Sequence, residues 1–136
     1  MEKSNNMIIS GKRKTSVAKL RIKPGTGKIF FNYIPHTELH LFHRLALSEP
    51  MKIHEKVLGD IKNDFHIKVM GGGKESQIQA ARLAIARALV KLTGSDVLRK
   101  TIIAYDRNML VQDSRRKETR KPGDSKARAK RQKSYR

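Results

Sequence analysis

An α+β fold in two layers, a small sheet with helices on one face and an extended basic tail behind it, is what this 136-residue sequence predicts. Three observations carry that expectation. Apolar and charged residues alternate over Val17–Ile22 and again over Phe65–Val69, the period of half-buried strands. Between Glu75 and Thr93, the residues Ile78, Ala81, Ile85, Leu89 and Leu92 recur at three- and four-residue spacing, the stripe of a packed helix. After Gln112 the apolar pattern stops and basic residues take over. The chain therefore divides into a globular domain, residues 1–111, and a tail, residues 112–136.

Taken in order, Ile8–Ile22 reads as one strand in which Gly11 marks a kink or bulge carrying the basic run Lys12–Lys14. Pro24-Gly-Thr-Gly27 is a turn signal, and Lys28–Asn32 a short second strand, so the two are expected to form a hairpin. Leu39, Phe42 and Leu45 have helical spacing, with Thr37 as N-cap and Pro50 as the end; a short further turn is expected over Ile53–Leu58. Phe65–Met70 is the third strand and stops at three glycines, Gly71–Gly73. Alanines give the helix over Glu75–Thr93 high propensity and a slim profile, and Gly94 suits its C-terminal cap. Ser95 caps a further helix to Tyr105, although the β-branched run Thr101–Ile103 leaves a strand open there. Asn108–Val111 is open between a short edge strand and helix.

The charge balance points to a partner. With 31 Lys and Arg against 12 Asp and Glu, the net charge is +19, and the first 111 residues alone carry +11. Self-repulsion on that scale destabilises a compact domain unless a counter-charge is present. In the last eleven residues, Lys126–Arg136, six are basic and none acidic. Such a segment cannot bury enough apolar surface to offset its ordering entropy, so it is expected to order only against a polyanion. There is no Cys, which removes disulfides, thiolate metal sites and cysteine nucleophiles. No apolar run approaches the ~20 residues a membrane-spanning helix needs. The first residues have neither the basic start nor the apolar core of a secretory signal. The protein is expected to remain soluble in the cytoplasm.

Gly71-Gly-Gly-Lys74 before a helix invites a phosphate-loop reading, which fails on spacing. The required earlier glycine falls at Lys68, and Glu75 stands where Ser or Thr is needed. A dinucleotide fingerprint fails likewise at Ser76. The glycines still allow close backbone approach and expose N–H groups at a helix start, which suits a backbone phosphate, with Lys74 as cation and Gln77 as a hydrogen-bonding arm. The bland alternative is a plain strand-to-helix turn. His36, His40 and His43 fall nominally on one face of the first helix but complete no metal set, so they read as surface or interface residues. No nucleophile, paired carboxylates or other catalytic constellation is recognisable, and no cofactor or small-molecule substrate is implied. Lys12, Arg13 and Lys14, followed by the hydroxyls of Thr15 and Ser16, suit successive phosphates; solvated strand-edge lysines are the alternative.

Together these stretches resemble the universal small-subunit ribosomal protein number nine family. The matching segments are Gly11-Lys-Arg-Lys-Thr-Ser-Val-Ala18, Val69–Gly73 with Gln77, Ala81-Arg82 with Ile85–Leu89, Asp113-Ser-Arg-Arg-Lys117, Lys121-Pro-Gly123 and Lys126–Arg136. They fall in the family's order from about Ile8 to the C-terminus. The ending Lys-Ser-Tyr-Arg is similar to the archaeal and eukaryotic branch; bacterial members typically end Ser-Lys-Arg. The resemblance implies the fold of the second domain of ribosomal protein number five, including a left-handed crossover that general rules of connection would not suggest. It implies a place in the head of the small subunit, on its ribosomal RNA and beside neighbouring head proteins. The expected ribosomal-RNA contacts are Lys12, Arg13, Lys14, Thr15, Ser16, Gly71, Gly72, Gly73, Lys74 and Gln77 in the body. In the tail they are Arg115, Arg116, Lys117, Lys121, Lys126, Arg128, Lys130 and Arg131. The terminal residues Lys133, Tyr135 and Arg136 match the segment that approaches transfer RNA in the peptidyl site; Tyr135 stands where bacterial members carry Lys. An extended chain from Arg115 to Arg136 spans at most roughly 70 Å, more than the width of a small domain.

A structural, non-catalytic RNA-binding protein of the ribosome is therefore the expected function. The competing reading is a free-standing basic protein that compacts nucleic acid or acts as an RNA chaperone. A basic membrane-surface protein fits the charge alone, and an enzyme acting on RNA has no residues to support it.

Overall fold

The structure is a computed structural model that describes residues 7–123, 125–130 and 135. Five strands form one sheet in the order β1-β2-β5-β3-β4: β1 Ile8–Arg13, β2 Ser16–Pro24, β3 Ile29–Phe31, β4 Ile34–Pro35 and β5 Asn63–Met70. All neighbours are antiparallel except β3 and β5, which run parallel. The chain passes from β3 to β5 through β4, a 3₁₀ turn at His36–Glu38 and the helix α1, Leu41–Leu58. Two more helices follow, α2 Lys74–Thr93 and α3 Asp96–Tyr105, then a 3₁₀ turn at Arg107–Met109. The expected α+β architecture is present.

Alternation settles which face is covered. Ile9, Ala18, Leu20, Ile22, Ile29, Phe31, Phe65, Ile67 and Val69 point inward and are buried. Their neighbours Lys19, Arg21, Lys23 and Lys68 point to the other side and are exposed. Helix α2 lies across β1, β2 and β5, with α1 packed on α2 and α3 on α1. Because α2 is covered on both sides, nine of its residues are buried, five of them alanine. Gly94 caps it in the left-handed conformation (φ 60°). Leu92, the last residue of the expected stripe, is exposed.

Several expectations about the elements are corrected. Ile8–Ile22 is a tight antiparallel hairpin, with Arg13 opposite Ser16 and Lys14 at φ +53° in the two-residue turn. Gly11 marks no kink; it lies flat under α2. The turn Pro24–Gly27 leads away from β2, but β2 and β3 do not pair, because β5 lies between them. The Asp64 carboxylate accepts the backbone N–H groups of Thr26 (2.8 Å) and Lys28 (2.9 Å), so the loop wraps the start of β5 instead of closing a hairpin.

Pro50 does not end the first helix. Leu47, Pro50, Met51 and His54 form one buried stripe across it, and this packing outweighs the cost of the missing backbone bond, about 3 kcal/mol. The helix starts later than expected, because Leu39 is extended after the 3₁₀ turn. Asn108–Val111 is no edge strand: Asp106 accepts the N–H of Asn108 (2.9 Å) and folds the segment into a 3₁₀ turn that buries Met109. Ser95 does cap α3, accepting from the N–H of Leu98, and Thr101–Ile103 is helical.

The two donors that hold Asp64, Lys28 N–H foremost, keep its carboxyl below the usual carboxylate range. A depressed native pKa contributes stability above the unfolded value, near 3.9, and loses it as pH falls through the native value. Asp64→Asn should therefore be less stable than the parent at neutral pH, and the gap should close below about pH 4. Urea unfolding of both proteins across that range checks this; a gap independent of pH would remove the carboxylate from the account.

Candidate nucleic-acid interface

The sequence places the basic run Lys12–Lys14 at the β1–β2 turn, and the structure presents it at one end of the sheet. Lys14 and Thr15 are exposed at the tip, and Lys12 is half-buried on the outward face beside Val17. Ser16 behaves differently. It is 0% exposed, donates its hydroxyl to the carbonyl of Gly71 (2.9 Å) and lies 2.7 Å from the hydroxyl of Ser76. It latches the hairpin to the glycine loop, so its hydroxyl does not face solvent as the phosphate reading required.

The glycine loop is shaped by that latch. Gly71 and Gly72 have φ of +79° and +65°. A Cβ on Gly71 would stand 2.7 Å from the Thr15 carbonyl oxygen, and one on Gly72 would strike the Ser16 hydroxyl. Gln77 spends its amide on the Gly71 carbonyl (3.0 Å), and the Gly73 N–H is taken by Ser76 (3.1 Å). Gln77 is thus an internal brace. Lys74 and the backbone of Gly71–Gly73 remain exposed beside the hairpin tip.

The root of the tail is tied to the same place, which the sequence did not disclose. Asp113 forms an ion pair with Arg13 and another with Arg115 (2.8 Å). Hydrogen bonds from Arg115, with the Arg13 guanidinium nearby, hold the Asp113 carboxyl well below the usual carboxylate range. Arg13 also donates to Gln79 (3.1 Å), and Arg116 donates to the Lys14 carbonyl. Further back, Arg87 reaches the carbonyls of Leu110 (3.1 Å) and Ser10 (3.2 Å), while Arg82 bridges Glu49 and Asp106. Residues a hundred positions apart in sequence thereby line one cleft: Arg13, Lys14, Thr15, Arg115, Arg116 and Lys117.

Beyond Lys117 the described residues to Lys130 contain neither helix nor strand, and Lys121, Lys126, Arg128 and Lys130 are exposed. Arg128 pairs with Glu118 (2.9 Å). Tyr135 is 87% exposed. Arg131, Lys133 and Arg136 lie outside the described residues. Of His36, His40 and His43, only His43 belongs to α1 proper, where it meets Glu75 (2.7 Å); His40 precedes the helix, and His36 sits in the 3₁₀ turn, where partial burial lowers its pKa. Among the described residues no three side chains gather as a metal site, and no helix is long and apolar enough to cross a membrane.

This arrangement gathers cations, the exposed Thr15 hydroxyl and the exposed glycine backbone in one place, a combination that suits phosphate groups. The sequence profile described as Ribosomal protein S9/S16 matches residues 11–136. The small ribosomal subunit protein uS9 of Methanococcus maripaludis (strain C5) is 43% identical over 129 residues, 93% of this chain and 95% of its own. That of Desulfurococcus amylolyticus is 42% identical over 99% of this chain and 96% of its own, and that of Methanothrix thermoacetophila 40% identical over 93% and 96%. With the match running through the hairpin tip, the glycine loop and the tail alike, the chain belongs to the ribosomal protein S9/S16 family.

Proposed function

We propose that the chain is a structural, non-catalytic constituent of the small ribosomal subunit in the cytoplasm, bound to ribosomal RNA in the subunit head. In this reading Lys12, Lys14, Thr15, Lys74 and the tail cations contact RNA phosphates, neighbouring head proteins flank the body, and the C-terminal residues reach transfer RNA in the peptidyl site. The observation that carries it is the cleft at the hairpin tip, where the tail root is clamped beside Lys14 and Thr15. A tail rooted there continues one basic surface instead of forming a separate one. Arg13 serves mainly as the clamp, with Ser16 and Gln77 behind the surface as supports.

Lys14 and Lys117 are exposed and free of carboxylate partners among the described residues, so alanine at both should leave the fold intact. If each contacts one phosphate, the slope of log K against log salt for binding to the head RNA should fall by about 1.4–1.8. An unchanged slope would return both lysines to the solvated surface. A free-standing compaction protein would follow bulk nucleic acid on sedimentation, whereas this reading requires co-sedimentation with small subunits at moderate salt.

A further inference from the structure

The covered face of the sheet accounts for the fold, and the hairpin tip and tail for the proposed RNA contacts; the open face of the sheet is accounted for by neither. Strand register aligns its side chains in rows. Ile8, Arg21, His66, Phe30 and Pro35 lie side by side across all five strands. Within that row the Phe30 and His66 rings are stacked, with centroids 4.8 Å apart and planes within 9°. On one side of the row, Lys19 pairs with Lys68; on the other, Lys23 pairs with Asp64, whose carboxylate is already occupied by the N–H groups of Thr26 and Lys28. A shallow cleft runs over these groups, bordered by Tyr33.

Tyr33 is the second, independent observation. It is 85% exposed, with φ +69°, in a two-residue hairpin turn where Asn32 also has positive φ. Turns of that kind favour glycine at the second position, and a bulky residue there is strained. Asn32 explains itself, since its side chain accepts the N–H of Val69 (2.9 Å) and its own N–H donates to Ile67 (2.9 Å). Among the described residues the Tyr33 side chain makes no hydrogen bond and no ring stack. Retained strain at an exposed aromatic is a mark of function, not packing.

We propose that the open face of the sheet is a second RNA-binding surface, taking an unpaired base of single-stranded RNA as a continuation of the Phe30–His66 stack. Arg21 and Tyr33 flank that base, and the neighbouring phosphates fall on Lys19, Lys68 and Lys23. The chemistry selects this occupant. A ring stack binds any base face, and cations on either side follow a backbone. A duplex buries its base faces and would engage the lysines alone. An acidic protein segment would have no need of the rings. The inference rests on the reading of the chain as an RNA-binding protein, but uses none of the same residues.

The test uses the full-length chain, labelled for NMR, titrated at moderate salt with short oligoadenylate, with a duplex of similar length and with polyglutamate. Upfield ring-current shifts of the Phe30, His66 and Tyr33 ring protons with oligoadenylate alone are expected. Arg21→Gln and Tyr33→Gly should each weaken oligoadenylate binding about tenfold and leave duplex binding unchanged. Because glycine suits the turn, Tyr33→Gly should melt no lower than the parent. Shifts confined to Lys14, Arg115–Lys117 and the tail would overturn the proposal while leaving the hairpin-and-tail reading intact. Equal ring shifts from the duplex or from polyglutamate would overturn it too. A chain that binds no RNA at all would defeat the broader reading as well.

Discussion

Replacing Gly11 with alanine should destabilise the domain by about 3 kcal/mol, the upper part of the range for overpacked sites. Gly11 is buried on β1 directly beneath α2, paired with Ala18. A Cβ there would collide with the Ala80 carbonyl oxygen and stand 2.9 Å from the Ala84 backbone nitrogen. Both are main-chain atoms inside a helix, so no rotamer change relieves the contact. The helix must lift from the sheet, loosening its packing against Ala18 and Leu20. Gly73→Ala is the matched control: a Cβ there meets nothing within 4 Å, and its φ is negative, so the loss should stay within about 1 kcal/mol. Chemical denaturation of the two variants checks the contrast. Equal stabilities would mean that β1 and α2 have room to spare.

Deleting Ser134, Tyr135 and Arg136 should leave incorporation into small subunits nearly unchanged and weaken transfer RNA binding in the peptidyl site by about 1–3 kcal/mol. The asymmetry follows from charge. The deletion removes one of 31 Lys and Arg residues, so the electrostatic anchor on ribosomal RNA barely changes. At the tip, however, it removes an arginine suited to charge-assisted bonds with phosphate and an aromatic ring suited to stacking. Tyr135→Phe should retain most of the affinity if the ring stacks, and lose it if the hydroxyl donates. Filter binding of peptidyl-site transfer RNA to purified subunits distinguishes these outcomes. Truncated subunits that bind as tightly as intact ones would remove the terminus from the site.

What could be read from the residues was local. Alternation located β2 and β5, and the stripe with Gly94 located α2, because each pattern records one element's own burial. Partner choice is not local. Nothing in Pro24–Gly27 says how far the next strand swings, and Asp64, which holds that loop around β5, lies 36 residues beyond Lys28. Pro50 misled for a related reason: its cost is written in the sequence, while the packing that outweighs it belongs to α2 and α3.

At the site, the cations of the hairpin and tail were legible as charge, but their division of labour was not. Arg13 and Arg115 are spoken for by Asp113, and Ser16 by the glycine loop. Lys19, Arg21, Lys23 and Lys68 are visible in the sequence as the outward phase of two strands, but strand phase by itself names no partner for them. Only the register of β3 with β5 sets Phe30 beside His66 and gives that face a meaning.

The clamp between Arg13 and Asp113 also sets an order of events during synthesis. Its two halves are separated by 100 residues, so at about 5–20 residues per second the hairpin emerges several seconds before its partner exists. During that interval the tip lacks Arg115, Arg116 and the carboxylate that fixes Arg13. A chain interrupted anywhere before residue 113 could form its hairpin and still lack the cleft. The surface proposed to meet RNA is therefore complete only once residues 113–117 have been made, and the clamp joins the two ends of the chain at that point.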